Sequence, residues 1–205
     1  METNGILLAA GLSSRMKAFK PLLKIKGKMM IEHSVDSMFR AGVNQVIMVL
    51  GYRGEEVESL LCKTYDPSRL VFKYNEKYAE TDMLTSVKLG ILGLRPCEAV
   101  YLLPGDMPAI HTRTFLAVKE AMLRKHALVA FPTIDGYRKH PPLISCKCIK
   151  HILAFTGEGG LREVWHQLES QIVTVPVEDM GCMLDADTQE DYNRLSDYME
   201  SLILS

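Results

Sequence analysis

Two groups of residues in this chain have the types and spacing to do chemistry on a polyanion. In the first, Gly11, Ser13 and Ser14 follow directly on the apolar run at residues 6–10, and Arg15, Lys17 and Lys20 come within the next six residues. Small residues let a backbone approach a ligand closely, amides and hydroxyls donate hydrogen bonds, and the cations attract negative charge. That combination points to a triphosphate. A Gly-Ser turn with basic residues is also a common α/β surface loop, and on this stretch alone both readings stand. The loop has neither the P-loop signature ending in Gly-Lys-Ser/Thr nor the GxGxxG of dinucleotide-binding domains.

The second group is a pair of carboxylates, Asp106 and Asp187. In an open parallel sheet, ligands sit outside the carboxyl ends of the strands. Asp106 follows the apolar run 99–103, and Asp187 stands between the last short strand and a final helix. Carboxylates beside a triphosphate serve to hold Mg²⁺, a hard cation that takes oxygen ligands and neutralises phosphate charge. The alternatives are local. Asp187 with Thr188 could cap the helix that follows, and Asp106 could be a turn residue between Gly105 and Pro108.

The elements that would position these groups alternate along the chain. Apolar runs at 6–10, 46–50, 70–74, 99–103, 128–134 and 172–177 predict strands, the first buried on both faces and the second buried as well. Helical spacing covers 29–41 with Gly42 as its C-cap, 55–63, 83–94, 112–124 with Thr112 as its N-cap, 147–155, 161–168 and a helix from Thr188 onward. Strand and helix in alternation predict an α/β fold with a mostly parallel sheet. At 205 residues, without a repeat or linker, a single domain over 1–205 is expected.

Composition narrows the partners. Lys+Arg 24 against Asp+Glu 25 leaves no bulk charge for nucleic acid or a membrane surface, so an anion site must be local. No apolar run is long enough to span a bilayer and no basic segment precedes the first one, which predicts a cytoplasmic protein. The five cysteines are odd in number and scattered, as in reduced, mostly buried thiols. His33, His111, His126, His151 and His166 have no mutual spacing for a metal site and are read as surface or packing residues.

The residues then carry a family resemblance. LAAGLSSRM at 8–16, followed by Lys20 and Leu22-Leu23, resembles the LAAGxSxRMGxxKxLL signature of the MobA-like nucleotidyltransferases. Ala10 makes it most similar to the molybdopterin (molybdenum cofactor) cytidylyltransferase branch. Three further landmarks fall in order. Gly105-Asp106-Met107-Pro108 is similar to the family's GDMP metal motif, 187–191 to its DTPED segment, and 75–86 to its N-x-x-Y-x-x-G-M-x-x-S stretch near the base.

The resemblance implies a Rossmann-like three-layer sandwich of the nucleotide-diphospho-sugar transferase type. It implies that Ala9, Ala10 and Gly11 lie against the nucleotide, with Ser13 and Ser14 in the same loop. Arg15 and Lys20 would bind phosphate, Asp106 and Asp187 would hold Mg²⁺, and Ser86 would contact the base. On the acceptor side it implies His140, in a segment similar to GHP, and Gly160 and Arg162, in a turn similar to GDxGxR whose helix start suits a terminal phosphate. The partners implied are a nucleoside triphosphate, CTP by the branch, and molybdopterin or molybdenum cofactor, with a molybdoenzyme as recipient.

Lys17, Asp82 and Lys139 stand where the family has glycine, and Gln189 where it has proline. None of these removes a charge the chemistry needs. The reaction expected is attack by an acceptor phosphate oxygen on the α-phosphorus, with loss of pyrophosphate. Rival readings are a sugar phosphate or other phosphorylated acceptor, and a non-catalytic nucleotide or cofactor carrier.

Overall fold

The computed structural model describes residues 1–11, 16 and 18–202. Ser13, Ser14 and Arg15, read above as phosphate-binding, lie outside the described residues, as does Lys17. In chain order the strands are β1 (Thr3–Ala9), β2 (Lys24–Ile25), β3 (Lys28–Met29), β4 (Val46–Leu50), β5 (Leu70–Tyr74), β6 (Ala99–Pro104), β7 (Val129–Ile134), β8 (Tyr137–Arg138), β9 (Leu143–Ser145) and β10 (Ile172–Pro176). The helices are α1 (Met30–Arg40), α2 (Gly54–Thr64), α3 (Met83–Ile91), α4 (Thr112–Lys125), α5 (Ile149–Ala154), α6 (Gly160–Gln167) and α7 (Gln189–Ser201).

The main sheet has the order β10-β7-β9-β6-β1-β4-β5, with β8 paired to the end of β7. β1 is its centre, parallel to β4 on one side and to β6 on the other, with Gly5 opposite both Val46 and Tyr101. β9 runs against β6 and β7, and the other long strands are parallel. The sheet is therefore mixed but mostly parallel, as the strand and helix alternation predicted.

Alternation along the strands divides the core into two faces. Leu7, Met48 and Tyr101 meet α1, α2 and α4 through Val35, Val57 and Phe115, while Ile6, Ile47 and Val100 meet α3, α5 and α6 through Val87, Ile152 and Val164. All five residues of β4 are buried, as a strand covered on both faces requires. A third, smaller cluster joins Ile25 and Met30 to Ala109, Leu184, Ala186, Leu195 and Met199, and so seats α7 beside the β2–β3 hairpin. The result is an α/β three-layer sandwich of Rossmann-like form.

The structure corrects several local expectations. The helix expected to start on a Thr112 cap has His111 in that position, and no side chain of its own caps it. Its start is held instead by Asp179, which accepts the His111 N–H at 2.9 Å and the Thr114 hydroxyl at 2.5 Å. Before the last helix a 3-10 turn, Met180–Met183, leads into extended chain at Leu184. The helix read over 147–155 divides into a 3-10 turn, Cys146–Cys148, and α5. Gly42 follows the end of α1 as expected, with φ +81° and its N–H donated to Phe39 O at 3.0 Å. All five cysteines are free thiols, and among the described residues no helix is long and apolar enough to cross a membrane.

Candidate functional site

The strand order places a crevice where β1 passes between β4 and β6, the point at which chain connections leave in opposite directions. The exits of these three strands are pressed together. A Cβ on Gly51 would lie 2.5 Å from the Ala10 carbonyl oxygen and 2.8 Å from Tyr78 Cβ, so only glycine lets β4 leave so close to β1. On the other side the Gly105 N–H donates to Leu8 O at 2.8 Å, which brings the residue after it, Asp106, to the end of β1.

These exits wall a cleft of about 300 Å³ lined by Ala9, Ala10 and Gly11, by Lys20, by Tyr78, Asp82 and Ser86, and by Asp106. Of the nucleotide residues read from the sequence, every one within the described residues borders this cleft. Ser86 does so from a buried network: Asn75 Nδ2 donates to Ser86 Oγ at 3.2 Å and to Thr81 Oγ1 at 2.8 Å. Asp82 caps α3 through the Thr85 N–H at 2.9 Å. That contact fixes the helix start at the cleft wall.

Lys20 is the side chain on which the charges converge. Its backbone is held between buried Phe19 and buried Pro21 at the start of a 3-10 turn, Lys20–Leu22, with Lys20 O accepting the Leu23 N–H at 3.0 Å. Its Nζ donates to Asp106 Oδ2 at 3.1 Å and to Asp187 Oδ1 at 2.6 Å. Only 12% of the Lys20 side chain is exposed, so its ammonium is weakly hydrated. Burial alone would lower its pKa, but Asp187 and Asp106 outweigh that and raise it above the ordinary lysine value.

Asp187 is released for this contact because the neighbouring residue does the capping. Thr188 Oγ1 accepts the Asp191 N–H at 3.1 Å and Asp191 Oδ2 accepts the Thr188 N–H at 3.0 Å, a reciprocal capping box at the start of α7. A third carboxylate, Asp185, was not singled out by sequence reasoning. Loss of hydration around its carboxyl group raises its pKa, and the charges of Asp106 and Asp187 push the same way. The signal was present as alternation: Ala186 is buried, and in extended chain its two neighbours then share the opposite side.

The fit to a divalent cation is set by that donor set. Among the described residues no three acidic, His or Cys side chains converge closely enough to hold a metal by themselves. Two carboxylates facing one cationic point do, provided phosphate oxygens and water complete the shell, as is usual for Mg²⁺. Asp106 and Asp187 fit that description.

Of the acceptor residues read from the sequence, His140 and Gly160 come near residues that line the cleft. His140, in the segment between β8 and β9, is close enough to Asp106 to feel its charge. Burial nonetheless holds its pKa below the usual imidazole value, and its Nδ1 is buried without a hydrogen-bond partner. Gly160 adopts φ +59° at the start of α6, where a Cβ would stand 3.1 Å from Asp82 Oδ2, so this turn abuts the cleft wall. Arg162 is exposed in the first turn of α6.

Taken together, an open α/β sheet with its cleft at the switch point and carboxylates at the cleft mouth defines the chain as an α/β protein of the nucleotide-handling type. It belongs to the MobA-like NTP transferase domain family, whose model matches residues 5–172, and is thus a nucleotidyltransferase by family. It is 28% identical to the molybdenum cofactor cytidylyltransferase of Escherichia coli, over 91% of this chain and 92% of that protein. A solved nucleotidyl transferase from Methanothermobacter superposes with a TM-score of 0.81, at 22% identity, covering 98% of this chain and 99% of that one. A Mycobacterium tuberculosis protein solved in complex with manganese superposes with a TM-score of 0.73, at 19% identity, covering 96% of this chain and 99% of that one.

Proposed function

We propose that this chain transfers CMP from CTP to molybdopterin, or to its molybdenum-loaded form, in a reaction that depends on Mg²⁺ or Mn²⁺. The observation that carries the reading is the convergence of Asp106 and Asp187 on Lys20 at the mouth of a cleft walled by Ala9, Ala10, Gly11 and Ser86. A lysine flanked by two carboxylates beside such a cleft suits a polyphosphate that arrives with a divalent cation: the ammonium for its oxygens, the carboxylates for its metal. The base and the acceptor rest on the similarity to the Escherichia coli enzyme and its name.

The small residues at the β1 exit let the triphosphate lie against the backbone, and Ser86 faces the base. A phosphomonoester oxygen of the acceptor attacks the α-phosphorus, the bond to the bridging oxygen of the β-phosphate breaks, and pyrophosphate leaves with that electron pair. Such an oxygen is nucleophilic at neutral pH, so no general base is required, and His140 serves as a neutral residue of the acceptor side. A cation held by Asp106 and Asp187 would supply charge neutralisation on the triphosphate. Lys20 and Arg15 offset charge on the leaving group, the positioning and electrostatic strategy general to phosphoryl chemistry. The setting is cytoplasmic, with a molybdoenzyme as the recipient of the product.

Pyrophosphate release with CTP, GTP and ATP in turn, each with and without molybdopterin, tests the reading. Release with CTP that depends on molybdopterin is expected. Triphosphate binding with no release for any of the three nucleotides would overturn the acceptor and keep the nucleotide site. Lys20→Met should weaken triphosphate affinity by about 1.5–3 kcal/mol, the worth of a charge-assisted hydrogen bond, or roughly 10- to 150-fold in Kd by calorimetry. Unchanged affinity would remove Lys20 from the phosphate site.

A further inference from the structure

Lys20 has a second consequence, which rests on the assignment of Asp106 and Asp187 as cation ligands. We propose that Lys20 is a built-in placeholder for the divalent cation: in the nucleotide-free protein its ammonium fills the position between Asp106 and Asp187, and it must leave before the cation can be held there. Two carboxylates facing one another in a half-buried site repel unless a positive charge lies between them. Lys20 Nζ, at 3.1 and 2.6 Å from their oxygens, places such a charge there. A divalent cation needs the same oxygens, and a cation beside the ammonium would meet like-charge repulsion in a poorly hydrated place.

The geometry provides for the exchange. The Lys20 backbone is anchored by Phe19, Pro21 and the 3-10 turn, while the side chain is an unbranched stem that also lines the cleft beside Ala10 and Gly11. A triphosphate against that wall offers the ammonium new anionic oxygens without any movement of the main chain. Nucleotide and cation therefore bind with positive coupling, and the protein without nucleotide discriminates against free metal ions. Coupling of this kind is reciprocal, and typical values are roughly 5- to 150-fold.

The test uses Mn²⁺ alone on the full chain, read by the paramagnetic resonance signal of the unbound ion, with no nucleotide present. Lys20→Met is expected to bind Mn²⁺ about 5- to 150-fold more tightly than the natural chain, against the intuition that a site residue's loss weakens its site. Lys20→Gln, which keeps a polar head without charge, is expected to show the same gain. Adding Asp187→Asn to either variant should abolish it. Equal or weaker Mn²⁺ binding in both Lys20 variants, with binding still lost in Asp106→Asn, would overturn the placeholder role and leave the metal assignment standing. Mn²⁺ binding that is indifferent to both Asp106→Asn and Asp187→Asn would overturn both.

Discussion

Asp106→Asn is expected to stop turnover while leaving the fold intact. The substitution keeps the size of the side chain and one oxygen that can still accept from Lys20 Nζ, so the contact at 3.1 Å can persist in weakened form. What it removes is the negative charge that a cation would use, at a residue whose side chain is 27% exposed and whose neighbour is tied to β1 through the Gly105 to Leu8 hydrogen bond. Metal-assisted charge neutralisation contributes several kcal/mol to transition states of this kind. A loss of at least about a thousandfold in kcat, or about 4 kcal/mol, is therefore expected in pyrophosphate release. The thermal midpoint should stay near that of the natural chain, since no buried apolar contact changes. Near-full turnover would remove Asp106 from the reaction.

Why Asp106 could be read from sequence at all is that it directly follows a strand whose apolar run is unmistakable. β6 and β4 are buried on both faces, and such strands carry continuous apolar residues with little ambiguity. The same logic made β1 and its glycine exit visible. β9 was not, because three residues, Leu143–Ser145, carry no directional information. Its antiparallel course follows from the β7–β8 turn, where Asp135 and Gly136 both have positive φ and send the chain back. The β2–β3 hairpin, two residues a side, is also below the length at which a pattern can show.

The site was legible in parts. Local motifs and the family resemblance named Asp106, Asp187 and Lys20, but neither predicted that the three would touch. That contact spans 86 residues from Lys20 to Asp106 and 167 from Lys20 to Asp187, and only the folded sheet brings them together. The Thr112 cap failed for the same reason. Thr112 has the chemistry of a cap, yet Asp179, 65 residues from Thr114, supplies the carboxylate that the helix start uses.

Asp179→Ala is the substitution expected to show how far the carboxylate segment depends on that remote cap. Asp179 is 2% exposed, and its two oxygens hold three donors at once: the His111 N–H at 2.9 Å, the Thr114 hydroxyl at 2.5 Å and the Gly181 N–H at 3.0 Å. His111 Nδ1 lies a further 3.5 Å from Oδ1. Two of the donors belong to the start of α4 and one to the turn Met180–Met183, so this single side chain fastens the approach to Asp185 and Asp187 onto the body of the protein. Truncation leaves buried donors unpaired, and breaking a buried hydrogen-bonded charge of this kind costs about 3–5 kcal/mol. In a chain of 205 residues that lowers the thermal midpoint by roughly 6–20 °C. Because the turn carries Asp187 toward Lys20, turnover measured well below the midpoint, where the variant is folded, should also fall. An unchanged midpoint would show that the latch adds no stability. A lowered midpoint with full turnover at low temperature would show that Leu184, Ala186 and Leu195 hold the segment in place by packing alone, and that Asp187 keeps its position without the cap.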